Sequence, residues 1–99
     1  MKNVFIEILP RAQIDLDEIW AMIAQTDFSR ADRFVEKLED KIGQLSQFPE
    51  SGADRTDIFP KTRVLIEGQY LIFYQFAENR VVVMRIIHGA RDLGDLDFT

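Results

Sequence analysis

Tyr70-Leu71-Ile72-Phe73-Tyr74-Gln75-Phe76, followed after Ala77-Glu78-Asn79-Arg80 by Val81-Val82-Val83-Met84-Arg85-Ile86-Ile87-His88, is the stretch that decides how this chain folds. Both runs are rich in β-branched and aromatic residues, and the segment between them has the length and composition of a hairpin turn. Alternation in the first run sends Tyr70, Ile72, Tyr74 and Phe76 one way and Leu71 and Phe73 the other. Strict alternation in the second sets Val81, Val83 and Ile87 against Val82, Met84 and Ile86. Both faces are therefore apolar, whereas an antiparallel sheet with one wet face alternates hydrophobic and polar residues. Two covers are needed. One is intramolecular, and the other is either the C-terminal residues Leu93, Leu96 and Phe98 folding back or a protein partner.

Working outward, Thr62 to Glu67 forms a preceding strand joined through Gly68-Gln69, and residues 50–60 read as a polar loop. Further upstream the period changes. Ala12, Leu16, Ile19, Trp20 and Ile23 fall on one helical stripe beginning just after Pro10, which is tolerated in a first turn. After Asp27-Phe28-Ser29, a second stripe runs through Ala31, Phe34, Val35, Leu38, Ile42 and Leu45, with Ser29 to Asp32 resembling a capping box. Its polar face carries Arg33, Glu36, Lys37, Asp40 and Lys41, and Phe48-Pro49 ends it. Residues 2–8 alternate Val4, Ile6 and Ile8 with more exposed positions, as a short strand does. The expected architecture is a single α+β domain over residues 1–99 in the order β-α-α-β-β-β, with a two-helix hairpin packed on one face of an antiparallel sheet.

Composition narrows the function. With 46% hydrophobic and 29% charged residues the 99-residue chain has the balance of a globular domain, although a thin core leaves room for a stabilising partner. It contains no cysteine, which removes disulfides, thiolate nucleophiles and Cys-based zinc sites and suits a cytoplasmic location. A glutamate interrupts the apolar N-terminal run, so a signal-peptide core is not expected, nor is a membrane span. Twelve basic against 17 acidic residues give a net charge of −5, which disfavours direct nucleic-acid binding. Basic residues nonetheless concentrate in one region, with Lys61, Arg63, Arg80, Arg85 and Arg91 against Glu67 and Glu78. A phosphate or an acidic protein segment fits such an island equally well.

His88, the single histidine, stands at the end of the last strand. It is either a general acid or base flanked by Arg63, Arg85 or Arg91, or a hydrogen-bonding tie between the strand end and the C-terminal tail. The carboxylates Asp15 and Glu18 fit helix-start electrostatics, and Asp54 and Asp57 fit loop solvation. Asp92, Asp95 and Asp97 lack the glycine and terminal glutamate of a calcium loop, so neither metal nor cofactor is expected.

Arg11-Ala12-x-x-Asp15-Leu16-x-Glu18-Ile19-Trp20, Arg33-Phe34 and Leu45-x-x-Phe48-Pro49-x-x-Gly52 together resemble the helical hairpin of the ParE branch of the RelE/ParE toxin superfamily. Arg63, Tyr70-x-Ile72-x-Tyr74 and Val83-x-Arg85-Ile86-Ile87-His88-Gly89-Ala90-Arg91-Asp92 resemble its last strands and closing motif. The resemblance implies the toxin of a type II toxin-antitoxin system (plasmid stabilisation type), neutralised in a heteromeric complex by a ParD-like antitoxin. It further implies a growth-arresting, non-catalytic inhibitor of DNA gyrase. On this reading Arg85, His88, Arg91, Asp92, Leu93, Leu96 and Phe98 form the target-binding surface, and Arg63, Leu71, Phe73, Val82, Met84 and Arg85 form the antitoxin groove. RelE-like relatives instead cut mRNA on the ribosome, and Arg63, Arg85 and His88 sit roughly where those relatives place their working residues. The few lysines and the lack of a tyrosine after His88 favour gyrase. A protein-binding module without toxicity is the third alternative.

Overall fold

A computed structural model of the chain describes residues 3–90. Its elements are β1 (Phe5–Ile8), α1 (Pro10–Ala24), α2 (Phe28–Gly43) with a 3₁₀ turn at Gln44–Ser46, β2 (Ala53–Asp54), β3 (Thr62–Glu67), β4 (Tyr70–Ala77) and β5 (Arg80–His88). They form one sheet in the order β1-β5-β4-β3-β2, with the helical hairpin on one face. The α+β class and the expected helices and meander are present. The sheet is mixed, however, because β1 lies parallel to β5 while the other pairings are antiparallel. A parallel pair needs a long connection, and both helices and the strands β2 to β4 lie between β1 and β5 in the chain.

Pro10 sets the first turn of α1, where a missing N–H leaves no bond unmade. The cap of α2 is Asp27, whose Oδ1 accepts from the Arg30 amide at 3.1 Å, two residues before the expected cap Ser29, which lies within the helix. Trp20 stacks on Phe28 at 5.9 Å between centroids and donates its Nε1–H to Asp32 at 2.8 Å, bracing the two helices beside the turn that joins them. Between β4 and β5, Glu78 and Asn79 have φ of 53° and 62°, the pair of positive values that lets a two-residue turn follow the strand twist.

One irregularity reorganises β5. Phe73 pairs with Arg85 but Tyr74 with Val83, leaving Met84 as an extra residue in a β-bulge. The bulge resets the alternation. Ile86 therefore joins Val81 and Val83 under the helices, and Ile87 joins Met84 on the far face, the reverse of the strict-alternation expectation.

The far face has a core of its own. Val64, Phe73, Met84 and Ile87 are buried there, packed with Ile58 and Phe59 from the loop before β3 and with Leu9, Leu71 and Val82. Residues 50–60 are thus more than a polar connector: they contribute apolar cover and the short strand β2, paired at Ala53–Val64 and Asp54–Arg63. The expected cover by Leu93, Leu96 and Phe98 lies outside the described residues.

Tyr74 anchors the same loop from the helical side. Its hydroxyl donates to the Pro49 carbonyl at 2.8 Å and accepts from the Gly52 amide at 2.9 Å. Burial pushes this hydroxyl's pKa up, so it stays protonated and able to donate. Gly52 is required by proximity: a Cβ there would lie 2.7 Å from Tyr74 Oη and 2.8 Å from the Val64 carbonyl. Tyr74→Phe is expected to lower stability by about 1–3 kcal/mol, because the Gly52 amide loses its partner. Gly52→Ala should cost a comparable amount through overpacking. Urea denaturation of both variants checks this; a wild-type midpoint would contradict it.

Candidate functional site

The end of the sheet formed by the β3–β4 turn and the C-terminus of β5 meets the end of the helical hairpin where α1 turns into α2, leaving a cleft of about 390 Å³. Ile23, Phe34 and Tyr70 form its apolar lining, Met22 stands at the rim, and Arg30, Gln69 and His88 supply the polar groups. Phe34 and Tyr70 contact each other at 5.5 Å between centroids, and the His88 ring meets Tyr70 edge-on at 5.2 Å. Burial raises the Tyr70 pKa, so its hydroxyl stays neutral and protonated near pH 7.

The tautomer of His88 is set by its neighbours. The Ala90 amide donates to Nδ1 at 3.1 Å, so the ring proton sits on Nε2 and points to Gln69 Oε1 at 3.0 Å. Gly89 continues the tie, its amide donating to the Gln69 carbonyl at 2.7 Å. His88 thus ties the end of β5 to the β3–β4 turn at Gln69 and to Ala90, while the tail to which the hydrogen-bonding alternative joins it lies outside the described residues.

The remaining expected site residues occupy different positions. Arg85 is a correction: it is 2% exposed, and its Nε and Nη2 donate to the two oxygens of Asp15 at 2.8 and 3.1 Å. Asp15 is itself buried and also accepts from the Ile86 amide at 2.9 Å. Beyond Val83, β5 has run past its pairing with β1, so this carboxylate stands in for a strand neighbour at the bulge. Asp15 therefore serves the core rather than the helix dipole, and Arg85 cannot act as a surface contact for target or antitoxin. Phe73 and Met84 are corrected for the same reason, being buried in the far-face core, while Leu71 and Val82 are half-buried at its edge.

Arg63 donates to the carbonyls of Glu50 and Gly52 at 3.1 and 2.8 Å and lies 3.5 Å from the Glu50 carboxylate, so it braces the loop. Nor does the sheet bring it to His88. Arg63 is opposite Tyr74 and His88 opposite Tyr70, four residues apart on β4 or about 13 Å along the strand. Arg91, Asp92, Leu93, Leu96 and Phe98 lie outside the described residues. Among the described residues no cluster of His, Asp and Glu could hold a metal ion, and no helix is long and apolar enough to cross a membrane.

The α2 side of the cleft is not among the residues that sequence reasoning singles out. A second hollow of about 310 Å³ shares Arg30 and Phe34 with the first and adds Arg33 and Lys37. The signal is present as spacing, since positions 30, 33, 34 and 37 repeat at helical intervals. In one dimension, however, such a row is indistinguishable from the solvated face of any surface helix.

Residues 6–93 match the family described as the ParE toxin of the type II toxin-antitoxin system, parDE. Over 80 residues the chain is 28% identical to Toxin ParE3 of Caulobacter vibrioides, a match covering 80% of each protein. Its fold is similar to a chain of the chromosomal ParDE toxin-antitoxin system from P. aeruginosa, with a TM-score of 0.74 and 19% identity over 86% of this chain and 95% of that one. It is also similar to a chain of the toxin-antitoxin complex RelBE2 from Mycobacterium tuberculosis, with a TM-score of 0.54 and 20% identity over 87% of this chain and 98% of that one. With the family match running through both helices and the whole meander, this chain belongs to the ParE toxin family of type II toxin-antitoxin systems.

Proposed function

We propose that this ParE-family toxin arrests growth by binding a protein target, DNA gyrase, without catalysing a reaction, and that a ParD-like antitoxin neutralises it in the cytoplasm. The observation that carries the non-catalytic reading is the dispersal of the cationic residues a nuclease would use. Arg85 is consumed by Asp15, Arg63 braces carbonyls of the 50–52 loop, and His88 stands about 13 Å along the sheet from Arg63. General acid–base cleavage of RNA needs such groups within hydrogen-bond reach of one phosphodiester. The net charge of −5 adds long-range repulsion of a polyanion. Membership of a toxin-antitoxin family, together with relatives named for the parDE system, supports the antitoxin part.

Induction of the chain alone, with growth, plasmid supercoiling and transcript integrity measured together, tests this. Arrest is expected with altered supercoiling and intact transcripts. Ribosome-dependent transcript cleavage that His88→Ala or Arg63→Ala abolishes would establish the nuclease instead. Undisturbed growth would leave a binding module without toxicity.

A further inference from the structure

We propose that His88 is a proton-sensitive clasp at the point where the chain leaves the sheet: the neutral ring holds the Ala90 amide, and the protonated ring releases it. The clasp is independent of which target or antitoxin the chain binds. It takes the form of a turn ordinarily built with asparagine or aspartate, whose side chain accepts from the backbone N–H two residues on. Here an imidazole occupies that place, with Nδ1 accepting from the Ala90 amide at 3.1 Å. A backbone N–H can only donate, so the bond requires Nδ1 to be unprotonated. Asparagine does not titrate and aspartate does so only in acid, whereas imidazole changes charge between about pH 5 and 8.

The ring has little freedom to escape the conflict that protonation creates. Nε2 donates to Gln69 Oε1 at 3.0 Å in the neutral state and still donates there when the ring is charged, then as a charge-assisted bond. Tyr70 meets the ring edge-on at 5.2 Å and is itself packed on Phe34. With the ring held at Nε2, a protonated Nδ1 presents N–H to N–H, and the exposed Ala90 is the side that gives way. The Gly89 amide, by contrast, donates to the main-chain carbonyl of Gln69 at 2.7 Å, a bond with no titrating partner. Glycine suits that approach, since a Cβ at 89 would lie 3.3 Å from the same carbonyl. The fixed bond thus ends the sheet, and the titrating one sets the direction in which the chain leaves it.

Charged groups around the ring are few. From α2, Arg30 lines the same cleft and opposes a second positive charge; from α1, Glu18 favours it, and Asp15 is neutralised by Arg85. From β4, the Tyr70 hydroxyl is neutral near pH 7, and on β3 the Glu67 carboxylate is paired with Lys41. Among the described residues no carboxylate lies within ion-pair distance of the imidazole, so nothing in place compensates for the lost Ala90 bond. The tie is therefore complete on the alkaline side of the imidazole range and lost as pH falls through it.

The test is solution NMR of the full-length, isotopically labelled chain between about pH 5.5 and 8. At the alkaline end, a scalar coupling across the bond from the Ala90 amide to Nδ1 and an Nε2–H tautomer are expected. As the ring takes up its proton, the coupling should vanish and the Ala90 amide should lose about 5-fold of its protection against hydrogen exchange, while Gly89 keeps its own. His88→Asn, whose Oδ1 can accept from the same amide at either pH, should hold Ala90 protection constant across the range. Gln69→Glu sets a carboxylate against Nε2, which favours the charged ring, so the loss should begin at higher pH. Equal Ala90 protection at both ends of the range overturns the proposal, as does a loss that Gly89 shares or that His88→Asn retains. Should His88→Asn melt early, Gln69→Glu decides alone, and a loss left at the wild-type pH or moved lower overturns the clasp.

Discussion

Arg85→Ala is expected to destabilise the isolated protein by roughly 3–5 kcal/mol, a large part of the stability of a domain this size. The cost comes from the charge left behind. Removing the guanidinium leaves Asp15 buried at 5% exposure and stripped of its counter-charge, with the Ile86 amide still donating to it. Asp15→Ala should cost a similar amount, since it removes the carboxylate that faces buried Arg85 and also leaves the Ile86 amide without its acceptor. The combination Asp15→Leu with Arg85→Met removes both charges together and should be less destabilised than the sum of the single changes. Arg85→Lys should not restore full stability, because an ammonium cannot reproduce the two-pronged contact to Asp15 Oδ1 and Oδ2. Chemical denaturation of the four variants reads these outcomes. Additive losses, or a single variant melting like the wild type, would mean that the two groups are not a buried pair. The same measurement separates structural from functional roles: lost toxicity in Arg85→Ala should track lost folded protein.

Phe73→Ala carries the other large effect, an expected loss of about 3–5 kcal/mol measured on the chain without any partner. Phe73 is completely buried among Val64, Met84 and Ile87 on the face away from the helices. Truncation there leaves a cavity that Ile58 and Phe59, contributed by a loop, can fill only in part. For a domain near 100 residues each kcal/mol shifts the melting temperature by roughly 4–8 °C, so the change should be plain in a thermal scan. Ile66→Ala is the matched control. Ile66 alternates onto the same face but is 61% exposed, and its truncation should alter stability by no more than about 0.5 kcal/mol. If Phe73 instead formed an open partner groove, Phe73→Ala would spare the isolated protein and weaken only the complex.

These two residues mark where reading the chain in one dimension succeeds and stops. Apolar periodicity is enough for the helices, since Ala12, Leu16 and Ile19 or Ala31, Leu38 and Ile42 face the core wherever the sheet lies. The meander is legible from β-branched runs and turn chemistry, as at Glu78-Asn79. The apolar character of both sheet faces is legible too, but not the identity of the cover. Ile58 and Phe59 sit in a stretch rich in Asp, Thr and Pro, where no period betrays which way a side chain turns. The cleft is half visible: His88 stands out by chemistry, whereas Arg30, Met22 and Phe34 belong to stripes whose neighbours only folding brings near.

By itself, then, the amino-acid order determined the two helices, the four longer strands, their sequence along the chain and the surplus of apolar strand surface, because those depend on local propensity and on repeats of two or 3.6 residues. Tertiary structure alone decided that β1 pairs with β5 in parallel, that a bulge at Met84 exchanges the faces of Ile86 and Ile87, and that Asp15 and Arg85 neutralise each other across 70 positions. No local pattern encodes a contact at that separation. It exists because burying either charge without its opposite would cost a large part of the folded state's stability.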